Sequence, residues 1–191
     1  MKKHLVTALM MTAVTTVLLG SIYPLTITAL SQAFFRDKAN GQIIYRDGKA
    51  IGSRIIGQPF TGPEYFHSRP SSAGSGYDAT SSGGSNLAPT NKKFIDTVEG
   101  RVQFEHRHGE GNIPIDLVTS SASGLGPDIT PAAAYYQVGR VARARGLDEN
   151  VLRRLVVQHT KRRELGFLGE ERINVLELNL ALDQWQPNRP R

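Results

Sequence analysis

Thirty-one consecutive positions, Leu5 to Phe35, carry no charged side chain, whereas downstream the apolar residues recur only in short runs between polar ones. A bilayer core about 30 Å thick is crossed by about 20 helical residues. Residues 5–35 are therefore expected to be a transmembrane anchor, with residues 1–4 as a cytoplasmic N-terminus. A cleaved signal peptide would also begin with Lys and an apolar stretch, and Ser31-Gln32-Ala33 has suitably small residues. Its apolar core, however, spans only about 7–15 residues, so retention as an anchor is the expectation. Lys2, Lys3 and the terminal amine precede the span and Arg36 and Lys38 follow it. Under the positive-inside rule this slight asymmetry places residues 36–191 outside the cytoplasm. Within the span, Pro24 predicts a bend, and Gly20-Ser21 offers the close approach that helix packing in lipid uses.

After the span, Gln42 to Arg46 and Lys49 to Ile56 flank Asp47-Gly48, a dipeptide suited to the positive φ angles of a tight turn. This predicts a β-hairpin. From Gln58 to Asn91 the chain turns to Gly, Ser, Pro and Asn, with Phe60, Tyr65, Phe66 and Tyr77 among them. An aperiodic stretch of that length is either disordered or shaped for contact, and its aromatics favour an ordered contact surface over residues 58–91. Three helices then follow from periodicity and capping. Asn91 precedes an apolar face of Phe94, Ile95, Val98 and Val102; Thr130-Pro131 opens a helix with Ala134, Val138, Val141 and Ala142 that Gly146 closes; Asp148 caps one with Val151, Leu152, Leu155 and Val156. Ile113 to Thr119 is expected as a strand. Ile173 to Leu182 fits both helical and alternating spacing, and a helix is favoured. The fold class is α+β: one transmembrane helix, then a single soluble domain with a β-hairpin and three to four helices.

Composition adds a location for the charge. The chain is 39% hydrophobic and 21% charged, as a globular protein is, and the portion beyond the span is long enough for a real core. It has no cysteine, which fits a domain that does without disulfides in an oxidising compartment. Between Arg140 and Arg163 eight basic side chains stand against Asp148 and Glu149 alone, an excess of +6 that equals the net charge of the whole chain. No aromatic interleaving and no helix-turn-helix or zinc-finger spacing accompanies them, so nucleic acid is not the expected partner. Solvated helix faces near anionic lipid or an acidic partner are expected instead.

Catalytic motifs are missing. The sequence contains no G-x-x-x-x-G-K-[ST], no Asp-Lys-Thr-Gly-Thr, no G-x-S-x-G and no H-E-x-x-H, and it does not read as an enzyme standing alone. His106 and His108 diverge by about 200° on a helix, so a metal site is not expected there. Ser81-Ser82-Gly83-Gly84-Ser85-Asn86 offers close backbone approach and small donors that could hold a phosphate, although a plain glycine turn explains it as well.

A resemblance joins these features. Gly52-Ser53, Ile56-Gly57-Gln58, Tyr65-Phe66, Arg69-Pro70-Ser71, Ser82-Gly83-Gly84-Ser85-Asn86-Leu87, Pro89-Thr90-Asn91 and Asp116-Leu117-Val118-Thr119 stand in the order typical of the KdpC family. So do Ser123-Gly124-Leu125, Ile129-Thr130-Pro131, Ala142-Arg143-Ala144-Arg145, Asn174-Val175-Leu176 and Leu178 to Asp183, and the anchor has the Tyr23-Pro24 step. Departures are few: Gly126 and Asp128 stand where Asp and His are common, and Lys161 where an acidic residue is. The chain thus resembles the C subunit of the Kdp potassium-transporting ATPase over nearly its full length. The resemblance implies a non-catalytic, single-span subunit of a P-type pump in the cell (inner) membrane, partnered by a potassium-conducting subunit and an ATP-hydrolysing subunit. It implies no tightly bound cofactor; ATP would enter through the hydrolytic subunit. Family members are described as stabilising the assembly, or as raising ATP affinity through nucleotide contact, which would fall on Ser82, Gly83, Gly84, Ser85 and Asn86. The expected partner contacts are Gly20, Tyr23, Pro24, Tyr65, Phe66, Arg69 and Asn91. An extracytoplasmic domain cannot meet cytoplasmic ATP, so orientation and direct nucleotide contact conflict. A cap over the outer potassium entrance avoids that conflict.

Overall fold

The computed structural model describes residues 2–109 and 111–185. The chain divides into two compact units, residues 1–44 and 45–191. In the first, α1 (Lys2–Val17) runs through a π-helical turn (Leu18–Ile22) into α2 (Tyr23–Phe34). Together these make 33 continuous helical residues, long and apolar enough to cross a membrane, with no buried residue among them. Two of the helix's hydroxyls are satisfied within it: Thr7 donates to the Lys3 carbonyl at 3.0 Å and Thr15 to that of Met11 at 2.8 Å. Such internal bonds are what a lipid environment demands of polar groups.

The π turn has a covalent cause. Pro24 has no N–H, and its ring would collide with the carbonyl four residues back, that of Gly20. Opening the helix by one residue relieves that crowding, and the Tyr23 N–H bonds to the Leu18 carbonyl, an i→i+5 step. A short helix α3 (Arg36–Ala39) follows.

The expected hairpin forms from β1 (Ile43–Arg46) and β2 (Lys49–Ser53). Asp47 and Gly48 hold φ of +51° and +75°, the two positive angles of the tight turn whose twist matches the strands.

The second unit is built around three helices with the predicted caps. Asn91 accepts from the Lys93 N–H at the start of α4 (Lys92–His106). Thr130 accepts from Ala133 N–H to open α5 (Pro131–Arg145), and Gly146 closes it at φ +65°. Asp148 accepts from Asn150 N–H at the head of α6 (Glu149–His159). The faces of α5 and α6 enter the core through Ala134, Val138, Val141, Ala142, Leu152, Leu155 and Val156. Val151 is only half-buried. No residue of α4 is fully buried; Phe94, Val98 and Val102 are half-covered and Ile95 is 49% exposed.

Two expectations are corrected. Residues 113–119 form no strand: Ile115–Leu117 is a 3-10 turn. Pro114 cannot donate to a ladder, and Asp116, Leu117 and Val118 are buried in succession, not alternately. The Asp116 carboxylate accepts the Thr130 N–H at 2.7 Å, tying this turn to the head of α5. The run from Ile173 is also not wholly helical. β5 (Arg172–Asn174) ends at Asn174, whose side chain then caps α7 (Val175–Gln184) by accepting from Glu177 N–H.

β5 is the middle strand of an antiparallel sheet that the sequence pattern did not disclose. β3 (Asp128–Ile129) and β4 (Thr160–Lys161) flank it, pairing Ile129 with Ile173 and Thr160 with Ile173. Asn174 also donates to the Arg54 carbonyl at 2.8 Å and to the Asp128 carboxylate at 3.3 Å. One side chain thereby fixes a helix start, a strand end and the loop after the hairpin.

Residues 58–91 have no helix or strand, yet they are ordered by side chains. Asn179 on α7 accepts the Phe66 N–H and donates to the Phe66 carbonyl, both at 2.9 Å. Gln137 on α5 does the same for His67, at 2.7 and 3.2 Å. Two buried amides therefore complete the backbone of adjacent residues as a neighbouring strand would, and the Phe66 ring fills the core with no exposure.

Candidate functional site

The glycine-rich segment is pinned against a second loop. Gly83 N–H and Ser82 Oγ both donate to the Ser123 carbonyl, at 2.8 and 3.0 Å. The backbones run so close that a Cβ on Gly84 would lie 2.9 Å from the Ala122 oxygen, and one on Gly124 2.5 Å from the Gly83 oxygen. Gly124 also holds φ +67°, so glycine is required there on two counts. Asn86, at φ +51°, turns the chain toward α4.

Beside this turn lies a cavity of about 480 Å3. Gly84 and Ser85 line it together with Ser72, Lys93, Thr97, Arg101 and Ser120. Of the five residues expected to contact nucleotide, Gly84 and Ser85 thus reach the cavity. Ser82 and Gly83 are engaged with Ser123, and Asn86 is exposed at the turn. The sequence reading missed Lys93, Thr97 and Arg101, which follow one another at four-residue intervals. On a helix that spacing puts all three on one face, and it was the available signal.

Arg101 is part of the cavity wall: its Nη1 donates to the Val118 carbonyl at 3.0 Å and to Ser120 Oγ at 3.4 Å. Burial pulls its pKa down from the usual arginine value. Ser72 donates to Ser120 Oγ at 2.8 Å. Hydroxyls and two cations facing a glycine turn can hold an anionic group. The described lining holds no carboxylate and no histidine; its charged side chains are Lys93 and Arg101.

The expected partner residues of this unit are bound into the domain itself. Arg69 donates to the Thr119 carbonyl, Thr119 Oγ1 and the Ser120 carbonyl at 3.1–3.4 Å. Tyr65 lies under the Arg145 guanidinium, 4.8 Å from ring centroid to carbon. Phe66 is in the core and Asn91 caps α4. Gly20, by contrast, has open space where a Cβ would stand.

The basic stripe is likewise not all solvent-facing. Arg145 is 1% exposed at its side chain and pairs with Asp183 at 2.9 Å. Arg140 donates to the Pro63 and Tyr65 carbonyls at 2.7 and 2.9 Å. The expectation of solvated faces holds for Arg143, Arg153, Arg154, Arg162 and Arg163, which are exposed. It fails for Arg140 and Arg145, because long arginines were the donors available to satisfy carbonyls of the strandless segment.

A second cavity, about 490 Å3, lies between α4 and residues 59–70, with Phe60, His67, Tyr77, Phe104 and Glu105 on its walls. His67 Nε2 is 2.9 Å from the Gly62 carbonyl oxygen. Burial, reinforced by the Arg140 charge, lowers its pKa from 6.5 to about 4. An unfolded chain takes up this proton as pH falls through about 6.5, the folded one only near 4. The stabilisation is therefore complete above the unfolded value and is lost as pH falls from about 6.5 to about 4, by on the order of 3 kcal/mol. His67→Gln should flatten the dependence of thermal unfolding on pH across that window; an unchanged slope would assign it to other groups.

Comparison with known proteins gives the same family that the motifs suggested. The family model described as KdpC: K+-transporting ATPase, c chain, matches residues 5–184. A protein of Koribacter versatilis named potassium-transporting ATPase KdpC subunit is 63% identical over 188 residues, covering 98% of this chain and 97% of its own length. The proteins of the same name from Acidobacterium capsulatum and Mycobacterium tuberculosis are 56% and 50% identical. They cover 95% and 96% of this chain and 98% and 100% of their own lengths. The match runs from the apolar helix to the end of α7 and so takes in both compact units: the chain belongs to the KdpC family, the c chain of the K+-transporting ATPase.

Proposed function

We propose that this chain is a non-catalytic accessory subunit that stabilises the union of a potassium-conducting and an ATP-hydrolysing subunit. In this reading residues 36–191 stand on the extracytoplasmic side and cap the potassium entrance. One observation carries the proposal: among the described residues one helix of 33 residues is long and apolar enough to cross a membrane, with no buried residue in it, and it is attached to a unit that has its own core. A lone span gains little from lipid alone beyond insertion. Its open Gly20 suits contact with another span, and the glycine-lined cavity, walled by hydroxyls, Lys93 and Arg101, suits binding of an anionic group. Removing residues 37–191 while keeping the anchor should weaken the apparent potassium affinity of the pump in its own membranes about tenfold, roughly 1.4 kcal/mol. Unchanged affinity in the truncated pump would refute the cap. Trypsin should cut after Arg162 and Arg163, which are exposed and lie outside helix and strand, in right-side-out vesicles; cutting confined to inverted vesicles would refute the orientation.

A second reading, raising the ATP affinity of the hydrolytic subunit, is favoured by Lys93 and Arg101 standing beside Gly84 and Ser85. It requires saturable ATP binding to the full-length chain that Lys93→Ala abolishes. Absence of such binding leaves the assembly role.

A further inference from the structure

Between β4 and β5 the chain forms a finger in which every residue from Lys161 to Glu171 is exposed. It is nevertheless ordered. Glu164 and Leu168 exchange both backbone hydrogen bonds at 2.9 Å, and Phe167 N–H donates to the Glu164 carbonyl at 3.2 Å. At its tip stand Leu165, Phe167 and Leu168, 82%, 69% and 49% exposed. Leu165 holds φ +54°, the only aliphatic residue among the described ones with a positive φ. That conformation costs a residue with a Cβ about 1–2 kcal/mol, and Gly or Asn would adopt it more readily. Leu165 and Gly166, at φ +54° and +84°, are the two central residues of the tight turn that the Phe167–Glu164 bond closes; the turn requires the angle, but not a leucine to hold it. A strained backbone that displays an apolar side chain is better explained by something the side chain enters.

We propose that this finger is a docking anchor for an apolar pocket on another protein subunit of the pump. The inference rests on the reading of the chain as an accessory subunit. A lipid surface is the other apolar acceptor at hand, but it recruits exposed segments through net positive charge, about 1 kcal/mol per basic residue. The finger offers none. Arg163 pairs with Glu170 at 2.6 Å, Arg172 with Glu164 at 3.4 Å and Lys161 with Glu177 at 3.0 Å. Arg162 and Glu171 add one charge of each sign. An apolar tip inside a charge-balanced rim is the arrangement of a protein hot spot, and the internal bonds hold it in shape before contact, which lowers the ordering cost of binding.

The test uses the assembled pump in its own membranes. A benzophenone side chain introduced at position 167 should give, on illumination, an adduct with another pump subunit. Adducts with lipid alone, with a second copy of this chain, or with no protein would overturn the proposal. Leu165→Asn combined with Phe167→Ser should cut retention of the chain on the detergent-purified pump about tenfold. Leu165→Asn alone should not lower its thermal stability, because Asn tolerates this backbone; equal retention of the double variant would also overturn the docking role. A wild-type chain that fails to co-purify with pump subunits would defeat the accessory-subunit reading itself. Co-purification of wild type and variants alike would defeat only the finger.

Discussion

Asp183→Ala is expected to destabilise the domain by about 3 kcal/mol, the lower end of what breaking a buried ion pair costs. The cost is not the value of the attraction. It arises because the Arg145 guanidinium, 1% exposed, would remain in the interior without its counter-charge. The other contacts of Arg145 cannot replace the carboxylate: Nε already donates to the Glu64 carbonyl at 2.6 Å, and the guanidinium face lies on Tyr65. Nη1 already has no hydrogen-bond partner among the described residues. Asp183, at 21% exposure, is partly solvated, and that places the effect near the lower bound. For a domain of this size the loss is about 6–12 °C in unfolding temperature. Adding Arg145→Met should recover part of it by removing the stranded charge, and the pair forms a double-mutant cycle. A loss below about 1 kcal/mol would mean that water reaches Arg145 in the folded chain.

Asn179→Leu should cost about 2–4 kcal/mol, since two buried backbone groups lose their partners and each unsatisfied group costs roughly 1–3 kcal/mol. Leucine keeps asparagine's branched skeleton with bulkier methyls, so no cavity forms and the loss reports on missing polar partners together with any crowding. The Phe66 N–H and carbonyl are both held by this one amide, and Phe66 is wholly buried. Because Gln137 still holds His67, the damage should be local. Amide exchange should rise at Phe66 before it rises at Leu152 or Val156 in α6. Unaltered protection at Phe66 would show that ring burial alone fixes the segment.

The helices and the hairpin were legible because their signals are local. A cap joins residues two or three apart, as Asn91 does Lys93 and Thr130 does Ala133, and Asp47-Gly48 sets its own two dihedral angles. The three-stranded sheet was not legible because its strands have two or three residues. Alternation needs at least four positions to register as a period. The strand expected at 113–119 failed where burial came from tertiary packing of a proline-led turn.

The candidate site was half legible for a related reason. The glycines announced a close approach, and Gly84 and Gly124 do meet other backbone. What they approach, Ala122, Ala73 and the Lys93–Arg101 face of α4, lies elsewhere in the chain. Net charge could be counted but not placed: nothing in the count distinguishes Arg145, turned onto Asp183, from exposed Arg143.

Sequence alone determined a membrane-length apolar helix, the capped helices and turns, and the family, because each depends on neighbouring residues or on motifs in order. Only the tertiary structure decided that Phe66 belongs to the core, that Asn179 and Gln137 stand in for a missing strand, and that Leu165 is held out in a strained conformation. Those outcomes depend on which donors and acceptors from distant parts of the chain meet in a water-poor interior, where each unpaired backbone group must find a partner.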